Sequence, residues 1–238
     1  MIVIPMAGRS QRFLDAGYEE PKYRLDLGGK SVFAHAVESF RAQFDSHRFL
    51  FIVAAEAADF VREATLSLGI GNGSVVALTA PTAGQAETVE RGVATESDDT
   101  PLTIFNIDTF RPGFAFPAPW YDTLDGWLEV FEGQGANWSY VRPAPGEAPL
   151  ALETAEKQPI SNLCCTGLYH FARAGDFRAA LAQERAAPQA RELYVAPLYN
   201  HLIGRGARIG YSKIARGEVI FCGTPQEYQG LIRPVSPP

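Results

Sequence analysis

Cysteine and histidine are scarce in this chain, and neither falls in a pattern that does chemistry. The 238 residues include three cysteines, Cys164, Cys165 and Cys222, and four histidines, His35, His47, His170 and His201. No CxxC pair is present, and an odd count with two adjacent members is a poor disulfide framework. The histidines show neither HxxxH nor HExxH spacing, which argues against a zinc site. No apolar run approaches the roughly 18 residues needed to cross a bilayer. The opening Met1-Ile2-Val3-Ile4 reaches Pro5 and Gly8 too soon for a secretion signal. Positive charge is also short, with a net charge of −6, so a broad basic face for nucleic acid is not expected. These absences predict a reduced, cytoplasmic protein with no membrane and no nucleic-acid partner.

What is present is a 46% apolar composition, ordinary for a globular core, with the cations of the first two dozen residues clustered. Ile2-Val3-Ile4-Pro5-Met6 breaks into Ala7-Gly8-Arg9-Ser10-Gln11-Arg12-Phe13, and a polar loop follows to Pro21-Lys22-Tyr23-Arg24. A strand, a small-residue turn and then cations is how a sheet edge presents backbone N–H groups and positive charge to phosphate. An acidic protein that binds an anion must gather its cations locally, and Arg9, Arg12, Lys22 and Arg24 are such a gathering.

Along the chain, apolar runs of strand length alternate with helical periodicity. Ile2 to Pro5, Phe49 to Ala54, Val75 to Leu78 and Leu102 to Phe105 read as strands. Ser31 caps a helix carrying Phe33, Val37, Phe40 and Phe44, and 57–68 and 85–93 are helical. This β-α-β-α-β-α-β order predicts an α/β fold: three layers, a mostly parallel twisted sheet with helices on both faces. In such sheets ligands bind at the carboxyl ends of strands, so Gly8, Gln85 and Asp108 are expected to face one crevice. In the second half, 138–141 and 163–171 read as strands flanking a Pro/Gly-rich turn at 143–149. Segments 176–186 and 190–203 read as helices, and 208–214 with 218–222 as a closing hairpin. Residues 112–119 read as a surface loop. We expect one domain over 1–238, its two halves (1–111 and 112–238) differing in pattern.

Each motif has a plain reading beside the chemical one. The Gly8 turn serves any tight β-to-α connection, but the neighbouring cations favour phosphate. Gly28-Gly29-Lys30-Ser31 looks like the end of a P-loop, yet the pattern needs glycine where Arg24 stands; it reads as a turn into the Ser31 cap. Asp108 closes an apolar strand and is either a polar turn residue or a hard oxygen ligand for Mg²⁺ beside a triphosphate. Lys157 by itself is a solvated charge, Thr166 to Tyr169 is core with a glycine for close approach, and the cysteines fill core.

In this order, the segments resemble the sugar-1-phosphate nucleotidyltransferases, or nucleoside-diphosphate-sugar pyrophosphorylases. The resemblance rests on 6–13 (the glycine-rich turn ending in Arg), Pro21-Lys22, Ala83-Gly84-Gln85-Ala86, Phe105-Asn106-Ile107-Asp108, Glu156-Lys157 with Pro159, Thr166-Gly167-Leu168-Tyr169 and Gly223-Thr224-Pro225. The short capsule and phosphocholine-type cytidylyltransferases look most similar. The resemblance implies a Rossmann-like fold of the glycosyltransferase-A type and Mg-dependent transfer of a nucleotide from a nucleoside triphosphate to a sugar-1-phosphate or similar small phosphorylated acceptor, with release of pyrophosphate. It further implies a place in nucleotide-sugar and capsule polysaccharide biosynthesis, and leaves homo-oligomerisation open. By resemblance, Arg12 with the amides of Ala7, Gly8, Arg9 and Ser10 holds the β- and γ-phosphates. Lys22 acts at the α-phosphate, Gln85 reads the base and Asp108 holds Mg²⁺. Glu156, Lys157, Thr166, Gly167 and Tyr169 take the acceptor.

Two departures stand out. The second glycine of the opening turn is Ser10, and the second metal aspartate of the family is replaced by Phe221. Glu218 is the nearest substitute carboxylate, although strand alternation puts it on the opposite face unless the chain bulges at Gly217. Two other readings share these residues: a glycosyltransferase using Asn106-Ile107-Asp108 in place of Asp-x-Asp, and a catalytically silent nucleotide-sugar binder.

Overall fold

The computed structural model describes residues 1–232; the last six residues of the expected domain lie outside the described residues. In chain order the elements are β1 (Ile2–Met6), α1 (Gln11–Asp15), β2 (Asp26–Leu27), β3 (Lys30–Ser31), α2 (Val32–Glu38), β4 (Phe49–Ala54), α3 (Ala58–Leu68), β5 (Gly73–Leu78), α4 (Gln85–Gly92) and β6 (Leu102–Phe105). Then come β7 (Thr109–Phe110), β8 (Gly126–Glu132), β9 (Ser139–Pro143), β10 (Ala151–Glu156), β11 (Leu163–Phe171), α5 (Ala174–Ala186), α6 (Leu198–Ile203), β12 (Ile209–Ile214), β13 (Ile220–Phe221) and α7 (Pro225–Ile232).

One nine-stranded sheet organises the molecule. β1 lies between β4 and β6, parallel to both, and β4 runs parallel to β5. β11 pairs antiparallel with β6, β8 and β9, carrying the sheet into the second half, where β10 closes one edge against β9 and β12 runs parallel to β8. The sheet is thus parallel among β1, β4, β5 and β6 and mixed beyond them.

β1 and β4 are buried on both faces, and their side chains alternate between two cores. Val3, Leu50 and Ile52 pack with α4, α5 and α6 on one face. Ile2, Ile4, Phe49, Phe51 and Val53 pack with α2 and α3 on the other. The second core is aromatic: Phe33 meets Phe51 at 5.5 Å and Phe40 meets Phe105 at 4.9 Å between ring centroids. Burying such a ring contributes about 1.5–3 kcal/mol each.

Several expectations are corrected. The closing hairpin is absent: β12 pairs β8, whereas β13 pairs β7, and residues 216–218 form a 3₁₀ turn between them. Only 198–203 of the expected 190–203 helix is helical. α2 ends at Glu38, though Phe40 and Phe44 beyond it remain in the core. The 112–119 stretch is not solely surface, because Phe114 is buried against Phe40. β8 and β10 were not read as strands; β8 is buried throughout except at Glu132 but is interrupted by Glu129, which hides its apolar run.

Gly28-Gly29 makes the tight turn between β2 and β3, not a phosphate loop, and the Ser31 hydroxyl accepts from Ala34 N at 3.1 Å, capping α2. Replacing Ser31 with alanine removes that acceptor. We expect a loss of about 1 kcal/mol, seen as a lower urea midpoint at unchanged slope, with turnover unaffected.

Candidate active site

The strand ends open into one cleft of about 780 Å³. Of the site residues read from the sequence, all except Lys157 and Glu218 line it.

One wall is built on β1. After Met6 the chain turns out of the sheet, and Ser10 takes the left-handed conformation, φ 52°, that a glycine would adopt more cheaply. Its hydroxyl accepts from Lys22 N at 3.2 Å, so the serine ties the first loop to the Pro21-Lys22 segment. α1 is held by Phe13, buried edge-on to Tyr18 and Tyr228, which leaves the adjacent Arg12 exposed at the cleft. Lys22 Nζ donates to Asp108 Oδ2 at 2.5 Å, with each side chain about one-fifth exposed. Asp108 is fixed from behind: its carbonyl accepts from Cys222 N at 2.8 Å.

The base side begins at Gly84. A Cβ there would fall 2.5 Å from the carbonyl oxygen of Leu193, because Leu193 clamps this turn: its N donates to Ala83 O at 3.0 Å and its O accepts from Ala86 N at 2.8 Å. Gln85 Nε2 donates to Asn106 Oδ1 at 2.5 Å. Asn106 in turn lies against Gly167, where a Cβ would meet its Nδ2 at 2.4 Å and φ is +97°. The Asn106 amide is therefore engaged by protein groups on both sides, which does not suit the first residue of a metal-binding Asp-x-Asp.

On another wall of the cleft, Glu156 ends β10, only 8% exposed, and accepts from Ser139 Oγ. Burial pushes its carboxyl above the usual carboxylate range, opposed by the Ser139 hydroxyl and the Lys157 charge. Ser139 Oγ also lies 3.4 Å from Tyr169 OH. Lys157 adopts φ 57° and turns outward: its Nζ donates to Tyr194 OH at 2.5 Å and stands 4.6 Å over that ring. Burial lowers its pKa, but the Tyr194 hydroxyl and the Glu156 and Glu192 carboxylates outweigh this and hold it above the ordinary lysine value. The Thr166 hydroxyl is directed to Glu129, not to the cleft.

Glu218 is corrected. Its carboxylate accepts from Ala215 N at 2.8 Å, closing the 3₁₀ turn, and it lies outside the cleft; no bulge carries it round. Phe221 does line the cleft, packed 4.5 Å from Trp138 and 5.0 Å beneath the Arg216 guanidinium. The carboxylate near Asp108 is Glu227, which the sequence reading missed. A Cβ on Gly223 would lie 3.0 Å from Asp108 Oδ2 and 3.7 Å from Glu227 Oε2. Glu227 Oε2 accepts from Gly223 N and Thr224 N, and Thr224 Oγ1 accepts from Glu227 N. This is a capping box, and its Thr-x-x-Glu pattern is legible in the sequence. Trp138, Ser139, Glu192 and Tyr194 were also missed; they sit in irregular segments or at strand ends, without periodicity. The three cysteines are free and buried, and burial with Asp108 nearby pushes Cys222 to about 12, so none is a nucleophile.

Asp108 fits a hard divalent cation. It is an oxygen ligand at the cleft, and the missing side chain of Gly223 leaves space against it. No group of three or more His, Cys, Asp or Glu side chains converges for a metal among the described residues, so other ligands must come from substrate or water.

A strand-end cleft with a glycine turn and a paired lysine and aspartate lies where open α/β sheets bind their ligands. No protein-family model and no curated protein matches the chain. Among solved structures, a nucleoside-diphosphate-sugar pyrophosphorylase from Vibrio cholerae RC9 shares 49% identity over 98% of this chain and 100% of its own, with a TM-score of 0.92. An inositol-1-phosphate CTP transferase from T. maritima (13% identity, 97% and 93% covered, TM-score 0.73) and a UDP-glucose pyrophosphorylase complexed with UDP-glucose (16%, 97% and 95%, 0.77) share the fold. The chain belongs to the nucleoside-diphosphate-sugar pyrophosphorylases, and it is a nucleotidyltransferase.

The fold favours Glu156 protonated, so its carboxylate costs stability once the pH rises above its unfolded value, fully so above its raised folded value. Glu156→Gln should therefore melt higher than wild type at pH 8, with the gap closing toward pH 4; thermal scans across that range check it.

Proposed function

We propose that the chain uses Mg²⁺ to join a nucleoside triphosphate to a small phosphorylated acceptor of the sugar-1-phosphate kind, in the cytoplasm, as a step toward capsule or other polysaccharide. The observation that carries this reading is the convergence of Arg12, Lys22 and Asp108 with Glu156, Gly167 and Tyr169 on one cleft. The division at 111/112 into a nucleotide half and an acceptor half belongs to the same reading.

In this mechanism an acceptor phosphate oxygen attacks the α-phosphorus, the bond to the bridging oxygen breaks, and pyrophosphate leaves. No covalent enzyme intermediate is needed, so the protein's task is positioning and charge stabilisation. Arg12 and the 7–10 amides hold the β- and γ-phosphates. Gln85, fixed by Asn106, reads the base. Asp108 would hold the Mg²⁺, which when bound would neutralise phosphate charge, and Glu227 adds a second negative charge beside Asp108. Lys22 acts on the charge growing at the α-phosphate. Glu156 accepts from acceptor hydroxyls, and Lys157, leaving Tyr194, takes the acceptor phosphate. A panel of each triphosphate against phosphorylated acceptors, read by pyrophosphate release, tests the reading; no release from any pair overturns it.

Asp108→Asn keeps the shape and removes the charge. We expect a well-folded protein with turnover down about 100-fold or more, and wild-type rates would remove Asp108 from the metal. Lys22→Ala should lower kcat, whereas Lys157→Ala should mainly raise the acceptor KM, because the acceptor phosphate is charged in ground and transition state alike. Steady-state constants for both variants decide between this assignment and its reverse.

A further inference from the structure

Behind the cleft lies an ion pair that no substrate role explains. Arg111 and Glu129 have side chains only 6% and 4% exposed, and Arg111 Nε donates to Glu129 Oε1 at 2.7 Å. Arg111 Nη1 donates to the carbonyl of Glu218 at 2.6 Å, and its backbone N donates to Ser39 Oγ at 2.8 Å. Glu129 Oε1 also accepts from Thr166 Oγ1 at 2.9 Å, and the Thr166 carbonyl accepts from Thr109 Oγ1 at 3.1 Å.

The pair sits at a break in the sheet. β11 pairs with β8 at Cys165↔Val130 and resumes at Tyr169↔Leu128, so on the β8 side residues 166–168 oppose Glu129 alone, while Leu168 keeps its partner Phe105 in β6. Thr166 and Gly167 border the cleft at this bulge, with the Thr166 hydroxyl turned back to Glu129. The Glu129 carboxylate takes the hydroxyl of the departing strand and hands its charge to Arg111. Arg111 lies three residues after Asp108, and Glu218 three before Phe221. Three segments that wall the cleft therefore meet at one guanidinium–carboxylate joint: the Asp108 strand, the Thr166-Gly167 bulge and the turn into Phe221 and Gly223.

A buried ion pair is weak evidence of stabilisation, since apolar residues of similar volume often pack as well. What they cannot reproduce is the directed linkage, in which Arg111 spans the Glu129 carboxylate and the Glu218 carbonyl and Glu129 in turn takes the Thr166 hydroxyl. We infer that Arg111 and Glu129 are positioning residues for nucleotidyl transfer, setting the acceptor-side bulge against the Asp108 side. The inference rests on the transfer reading proposed above. The segments that hold the nucleotide, 7–12, Lys22 and Gln85, make no hydrogen bond to the pair, so its loss should separate turnover from nucleotide binding.

The test is the double variant Arg111→Met/Glu129→Met, measured for melting temperature, for calorimetric affinity toward Mg²⁺-triphosphate, and for steady-state constants with the substrate pair that wild type turns over. The expected result is a cooperative unfolding transition, nucleotide affinity within threefold of wild type and kcat at least tenfold lower. A folded double variant with kcat within threefold makes the pair structural filling and overturns the inference, as does a loss of nucleotide affinity equal to the loss of kcat. Should the double variant fail to fold, Arg111→Lys decides. It keeps the charge but cannot span Glu129 and the Glu218 carbonyl together; a severalfold lower kcat at unchanged nucleotide affinity supports the inference, and unchanged kcat overturns it. A wild type inactive on every pair is the separate failure of the transfer reading.

Discussion

A strand covered by helices on both faces has no place for an unpaired polar side chain except at its ends. β1 and β4 are in that position: every β1 residue and all of β4 except Ala54 are buried, with alternate side chains committed to different cores. Polar chemistry is thereby excluded from these two strands and forced to their ends. The glycine turn, Asp108 and Gln85 follow strands of the parallel half or the turns that leave them, so the same burial that stabilises the fold brings them into one cleft.

Within the cleft, charge is arranged by mutual restraint. The chain is net acidic, yet its cleft offers Arg9, Arg12 and Lys22 beside Asp108. In the ligand-free protein Lys22 and Asp108 neutralise one another, and Lys157 rests on Tyr194 at the rim. Both lysines are thus held close to where the chemistry would use them, and neither is buried without a partner, which would be costly.

The first half of the chain was legible in the sequence because its signals are local: apolar runs of strand length, a serine cap, and glycines at turns. The second half was harder for a physical reason. β8 carries Glu129 in the middle of a buried strand, so alternation fails just where the ion pair with Arg111 requires a charge. β12 and β13 follow one another in sequence but pair with different, distant strands, which no local pattern reveals. Glu218 and Glu227 show the same limit at the site. Proximity to Phe221 in sequence favoured Glu218, but the 3₁₀ turn spends its carboxylate on Ala215, whereas the capping box brings Glu227 to Gly223. Lys157 is adjacent in sequence to Glu156, but its left-handed backbone, rare for a non-glycine residue, points the side chain to Tyr194 and out of the cleft.

The aromatic packing around Phe221 also gives the protein an optical handle. Of the three tryptophans, Trp120, Trp127 and Trp138, only Trp138 lines the cleft, its ring set against Phe131 and Phe221 and neighbouring Ser139 on the Glu156 wall. Trp127 is stacked on His170 inside the sheet. An occupant of the Glu156 wall changes the polarity around one indole and leaves the other two alone, so intrinsic fluorescence becomes a label-free titration of that part of the cleft, with Trp138→Phe as its blank.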